Sequence, residues 1–93
     1  MSNVVIYTTA ICPYCIRAKA LLQRKGVDFS EIRIDLDQDS MMEMLQRSRR
    51  QTVPQIFIGD FHVGGYDDLA ALDQEGELDP RLGLSPIDDS APT

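Results

Sequence analysis

The chain has no tryptophan, one histidine and two cysteines among its 93 residues, and aromatic residues make up only 6% of it. No apolar run approaches the roughly 20 residues needed to cross a bilayer. The first such run, Val4-Val5-Ile6-Tyr7, is too short and too soon interrupted for a secretory leader. The expectation is a cytoplasmic protein without membrane attachment. In that compartment two cysteines are a poor basis for a permanent structural bridge. They are also a poor basis for zinc, which needs four ligands in a structural site. Beyond Cys12 and Cys15 only His62 could serve, so no metal is expected, and His62 itself is given no role.

Bases are scarce in the second half. From Gln51 onward Arg81 is the only Lys or Arg among nine acids, and the whole chain carries a formal charge of −6. A balance of that sign excludes broad nucleic-acid binding, which depends on neutralising phosphates. The bases gather instead in two places. Arg17, Lys19, Arg24 and Lys25 fall in an acid-free stretch from Cys12 to Val27, and Arg47, Arg49 and Arg50 form a second cluster. Two solvated helix faces explain such clusters on charge alone; a site for a small anion is the alternative.

What is present suffices for one small domain, with 43% apolar residues and no internal repeat. Residues 3–8, β-branched or aromatic from Val4 onward, read as a buried strand. Pro13 suits the first turn of a helix, where its missing N–H costs nothing, and that helix is expected to stop at Gly26. Ala18, Leu21 and Leu22 share its inner face, with Ile16 opposite. A second strand is expected over 27–35. A second helix follows, with Ser40 and Glu43 as a capping box and Met41, Met42, Met44 and Leu45 as a stripe of core-filling type. Residues 55–58 and 61–63 form a hairpin around Gly59-Asp60. Asp67 is the expected cap of a third helix ending at Gly76. The order βαβαββα gives a four-stranded mixed sheet flanked by three helices, with a parallel, right-handed first βαβ unit. The domain is expected to span 1–82. Residues 83–93, rich in Pro, Ser and Asp without periodicity, read as a disordered tail.

Cys12-Pro13-Tyr14-Cys15 carries the chemistry. Lying between a strand and a helix, C-x-x-C reads as a redox motif. At a helix N-terminus, unpaired N–H groups and the macrodipole stabilise a thiolate on Cys12. Cys15 lies one turn on, near enough to close a disulfide, and points inward beside Ala18 and Leu22. Cys12 is therefore the exposed nucleophile and Cys15 the resolving thiol. Two inert buried cysteines are the bland alternative.

With Cys12-Pro13-Tyr14-Cys15, Thr52-Val53-Pro54 and Gly64-Gly65-Tyr66-Asp67-Asp68 in this order, the chain resembles the glutaredoxin family over roughly residues 3–82. The bacterial glutaredoxin 3 type, dithiol and CPYC, is the nearest match, also in Arg17-Ala18-Lys19-Ala20-Leu21-Leu22 and Ala71-Leu72-Asp73. The resemblance implies a thioredoxin fold and an enzyme that uses glutathione to reduce protein disulfides and glutathione mixed disulfides, with no tightly bound cofactor. It implies a monomer whose partners are glutathione and disulfide-bonded or glutathionylated proteins.

The resemblance also implies a cis peptide before Pro54, with Val53 pairing its backbone to the cysteine moiety of glutathione and Thr52 lining the groove. Gly65 allows close approach of the ligand. The N–H groups of Tyr66 and Asp67 take the γ-glutamyl carboxylate, the Asp67 side chain takes its ammonium, and Tyr14 forms a wall. Asp68 reads as a first-turn acid. The chain departs from the family at Thr9, where Lys is usual, and at Met41, where Arg or Gln is usual. Both usual residues assist glutathione, so weaker binding is expected unless Arg17, Arg49 or Arg50 substitutes. Two other outcomes share this fold. One is an iron–sulfur carrier, whose specialised members usually have Gly and Ser where Pro13 and Cys15 stand. The other is a redoxin served by thioredoxin reductase.

Overall fold

The computed structural model describes residues 3–84. Its elements run β1 (Val4–Thr8), α1 (Pro13–Arg24), β2 (Ser30–Arg33), α2 (Gln38–Ser48), β3 (Gln55–Ile58), β4 (Phe61–Gly64), α3 (Tyr66–Gln74) and α4 (Leu78–Arg81). The sheet order is β2-β1-β3-β4. β1 and β2 are parallel, with Tyr7 opposite Ile32. β1 and β3 are antiparallel, with Tyr7 opposite Gln55, and the β3–β4 hairpin places His62 opposite Phe57 and Gly64 opposite Ile56. This is the mixed sheet that the order of elements implies, in the thioredoxin-fold topology that the resemblance implies.

Strand alternation divides the core in two. Val4, Ile6, Ile56 and Ile58 pack with Ala18, Leu21 and Leu22 of α1, Leu69 of α3, and Leu78 of α4. Tyr7, Ile34 and Phe57 face the other way and meet Met44 of α2. Burying a side chain such as Leu22 or Leu69 fully contributes about 1.5–3 kcal/mol. Ile16, on the outer face of α1, is exposed as its position dictates.

Several local expectations are corrected. β2 is four residues long rather than nine; it is an edge strand, and it pairs with β1 only from Val5–Ser30 to Thr8–Arg33. The second helix starts at Gln38, capped by Asp37, whose carboxylate accepts from the Asp39 N–H at 3.1 Å and the Ser40 hydroxyl at 3.0 Å. The Ser40–Glu43 box does not form. Asp is at least as good a cap and its earlier position adds a turn, while Glu43 accepts a hydrogen bond from the Tyr7 hydroxyl. Of the methionine stripe only Met44 is buried, with Met41 and Met42 left 37% and 49% exposed, because one narrow stripe of α2 meets the sheet. α3 is capped by Gly65, not Asp67, and the Asp68 carboxylate reaches back to the Gly65 N–H at 2.9 Å.

A fourth helix, α4, was not anticipated. Four residues are too few to show a period, and Pro80 looks like a breaker although the first turn tolerates it. Leu78 is fully buried there. Leu84 packs on the same core, and its N–H donates to the Asp79 carbonyl at 2.9 Å. Residues 85–93 of the anticipated tail lie outside the described residues.

Candidate active site

Register brings the three motifs together. Because β1 and β3 are antiparallel with Tyr7 opposite Gln55, the chain leaving β1 toward Cys12 and the chain entering β3 through 52–54 lie at one end of the sheet. Gly64 opposite Ile56 brings the start of α3 to the same end.

Cys12 caps α1 with extended backbone, and Pro13 occupies the first turn. Cys12 and Cys15 are joined by a disulfide, their Cα atoms 5.1 Å apart, inside the range a bridge requires. The Cys15 N–H also donates to the Cys12 sulfur at 3.0 Å. On reduction, that N–H and the start of the helix are in place to stabilise negative charge on Cys12. Cys15 is 1% exposed and Cys12 8%. The expected order of accessibility holds, but in the disulfide form Cys12 is more covered than a freely exposed nucleophile, since its sulfur is turned onto the first turn of α1.

The loop before Cys12 is held from the chain just past β2. The Ala10 N–H donates to the Asp35 carboxylate at 3.1 Å. Arg33 grips the same carboxylate with two bonds of 2.7 Å and holds its pKa down at about 2. Beside it, Glu31 accepts from Lys19 at 2.9 Å and from the Thr8 hydroxyl at 2.7 Å, and these bonds lower its carboxyl pKa, Lys19 most strongly.

A groove of about 280 Å³ opens at this end. All seven residues that the resemblance assigns to the ligand line it: Tyr14, Thr52, Val53, Pro54, Gly65, Tyr66 and Asp67. Arg50 and Asp68 complete the wall. The Val53–Pro54 bond is cis. Tyr14 and Tyr66 stack with ring centroids 6.2 Å apart, and Arg17 lies over the Tyr14 ring at 5.4 Å. The steric need for glycine falls on Gly64, whose φ is 112° and where a Cβ would collide with the Asp68 carboxylate. Gly65 has ordinary extended backbone; its absent Cβ would sit 3.6 Å from the Pro54 carbonyl.

Neither Thr9 nor Met41 lines the groove, and among the described residues Arg50 is the basic residue that does. Its guanidinium stands 3.3 Å from Asp68, both side chains about half exposed. Arg49 turns the chain at the end of α2 with φ 61° and does not line the groove. Sequence reasoning named Arg50 only as one substitute among three. It missed Asp35 and Gln55, whose spacings match no motif. It gave His62 no role; here the His62 ring stacks on Phe57 at 4.7 Å, and its Nε2 lies 2.7 Å from Gln55 Oε1. Burial, and then Arg50, push the His62 pKa down.

Among the described residues no group of three or more His, Cys, Asp or Glu could hold a metal, and no helix is long and apolar enough to cross a membrane.

A mixed sheet with a C-x-x-C disulfide opening its first helix, and a cis-proline loop at the same sheet end, defines a dithiol protein of thioredoxin fold. A family model described as Glutaredoxin matches residues 4–63. The chain is 60% identical over 82 residues to a glutaredoxin of Pseudomonas aeruginosa, covering 88% of this chain and 98% of that one. It is equally 60% identical over 82 residues to glutaredoxin 3 of Escherichia coli K12, covering 88% and 99%. A solved buckwheat glutaredoxin–glutathione complex superposes with a TM-score of 0.80 at 32% identity, covering 88% of this chain and 77% of that one. The solution structure of a Brucella melitensis glutaredoxin superposes with a TM-score of 0.78 at 57% identity, covering 88% and 89%. The chain belongs to the glutaredoxin family.

Proposed function

We propose that this protein is a cytoplasmic, glutathione-dependent thiol–disulfide oxidoreductase acting through Cys12 and Cys15, its catalytic domain extending through Leu84, which packs on the core. The observation that carries the reading is the Cys12–Cys15 disulfide at the start of α1, at the same sheet end as a groove whose lining includes every residue expected to hold glutathione. The buckwheat relative, solved as a glutathione complex, supports the same ligand.

In the monothiol branch, the Cys12 thiolate attacks the glutathione sulfur of the mixed disulfide in a glutathionylated substrate. A Cys12–glutathione disulfide forms and the substrate thiol leaves. A second glutathione thiolate then attacks that disulfide, releasing oxidised glutathione and restoring Cys12. In the dithiol branch, Cys12 attacks a protein disulfide and Cys15 displaces the substrate, leaving the Cys12–Cys15 disulfide seen here; two glutathiones reduce it. Val53 lends its backbone to the cysteine moiety of glutathione, like an added strand. The N–H groups of Tyr66 and Asp67, in the first turn of α3, suit the γ-glutamyl carboxylate, and the Asp67 carboxylate suits its ammonium. Tyr14, Thr52, Pro54 and Gly65 shape the walls, and Arg50 supplies the base for the glycine carboxylate.

A coupled assay of a glutathionylated peptide with glutathione and glutathione reductase, run beside thioredoxin reductase without glutathione, tests the assignment. Cys12→Ser abolishes turnover. Cys15→Ser keeps deglutathionylation and loses reduction of protein disulfides. Loss of deglutathionylation in Cys15→Ser reverses the two roles, and turnover supported by thioredoxin reductase alone overturns the use of glutathione.

A further inference from the structure

The groove's Thr52 wall is tied to the β3–β4 hairpin by two side chains that the reaction does not use. Gln55 is fully buried at the start of β3. Its side-chain Nε2 lies 3.1 Å from the Thr52 carbonyl and 3.2 Å from the Thr52 hydroxyl, so the Gln55 amide closes the loop 52–55 across its mouth. A backbone carbonyl can only accept, so the NH₂ end of Gln55 must face Thr52 and its Oε1 must face away. That oxygen lies 2.7 Å from His62 Nε2, and it too can only accept. The His62 hydrogen therefore sits on Nε2, whatever the state of Nδ1. The ring is held for this by stacking on Phe57, at 4.7 Å and 19° between planes, and Phe57 is covered on its own account by the Arg47 guanidinium at 4.0 Å.

We propose that Gln55 and His62 are positioning residues for the glutathione groove: the His62 N–H fixes the orientation of the Gln55 amide, and the amide fixes Thr52. The inference rests on the reading of this groove as the glutathione site. A buried amide without its donor partner either turns over or leaves its oxygen unsatisfied. Either way Thr52 loses a defined place, while Cys12, on another loop, keeps its own.

Three variants separate the N–H from the ring. His62→Phe keeps an aromatic ring against Phe57 and removes the donor; the KM for a glutathionylated peptide rises about three- to tenfold, with kcat within about twofold of wild type. His62→Gln places an amide N–H near the position of the ring Nε2–H and stays closer to wild type than His62→Phe. Gln55→Leu raises KM at least as much as His62→Phe, and adding His62→Phe to it changes nothing further. Alkylation of reduced Cys12 by iodoacetamide proceeds at the wild-type rate in both histidine variants. An unchanged KM in His62→Phe overturns the proposal, as does His62→Phe lying closer to wild type than His62→Gln, which would assign the effect to packing. A changed alkylation rate also overturns it. The amide resonances of Thr52 and Val53 read the tether without any ligand: they move in His62→Phe and return toward wild type in His62→Gln. Unmoved resonances overturn the tether itself. A wild-type protein with no saturable dependence on the glutathionylated peptide overturns the functional reading instead, and the tether is then decided by these resonances.

Discussion

The two basic clusters look alike in the sequence and end in different environments. On α1, Lys19 bonds Glu31 at 2.9 Å, and at the helix C-cap Lys25 stands between Asp73 at 2.6 Å and Asp79 at 2.9 Å, binding the end of α1 to α3 and α4. At the end of α2, Arg47 lies over Phe57 and donates to the Tyr7 hydroxyl at 3.0 Å. Arg50, two residues past the helix, reaches the groove wall. Helical period aims Lys19 and Lys25 at neighbouring elements, where folding supplies carboxylates. Arg50 lies on the loop into 52–54, and its partner Asp68 is itself half exposed, so its charge remains available to an anion. A run of bases thus divides into fold cement and a charge left at the groove, according to where each residue stands in the fold.

The largest separation between the clusters is expected from Arg50→Ala. An exposed charge-assisted contact is worth up to about 1 kcal/mol, so the KM for glutathione rises about fivefold, with the melting temperature nearly unchanged. Steady-state kinetics and a thermal melt measure both. An unchanged KM would place Arg50 with the structural bases.

Lys25→Met is the mirror image. It leaves the KM for glutathione unchanged and costs about 0.5–1 kcal/mol of stability, lowering the melting temperature by roughly 2–8 °C. Hydrogen bonds to Asp73 and then Asp79 raise the Lys25 pKa above its ordinary 10.5. A raised pKa means that this stability is fully present below pH 10.5 and is lost as pH climbs through the folded value. On the alkaline side of neutrality the gap between wild type and Lys25→Met should therefore close as the ammonium loses its proton, as melts across that range would show.

The same contrast between local and tertiary determinants decides what the sequence reveals. β1, α1 and the hairpin are legible because each needs only a local signal: a β-branched run, Pro13 with Gly26, and Gly59-Asp60 between apolar residues. The groove is legible because its lining residues, Arg50 apart, sit inside motifs. α4 is hidden because Leu78 is buried by tertiary packing, without a period of its own. The Asp37 cap is hidden by the competing Ser40–Glu43 pattern. Asp35, Gln55 and His62 act through partners that only the fold brings near: Ala10 lies 25 residues from Asp35, and His62 lies seven from Gln55 across a strand pair.

The smallest expected effect sharpens the comparison most, because it adds a base where the family usually has one. Thr9 stands three residues before Cys12, in the loop that Asp35 anchors through Ala10. Thr9→Lys would place an ammonium on a half-buried position beside the nucleophile. With Arg50 already at the groove, the added charge shares the work of holding a carboxylate instead of starting from nothing, so the KM for glutathione falls only about two- to threefold. The Cys12 thiolate gains as well, since a nearby cation favours the charged form, and alkylation of reduced Cys12 near neutral pH becomes faster. In an Arg50→Ala background Thr9→Lys should recover more than it adds to wild type. Equal gains in both backgrounds would mean that the two bases serve different groups, and that Arg50 had not taken over the contact that Thr9 lacks.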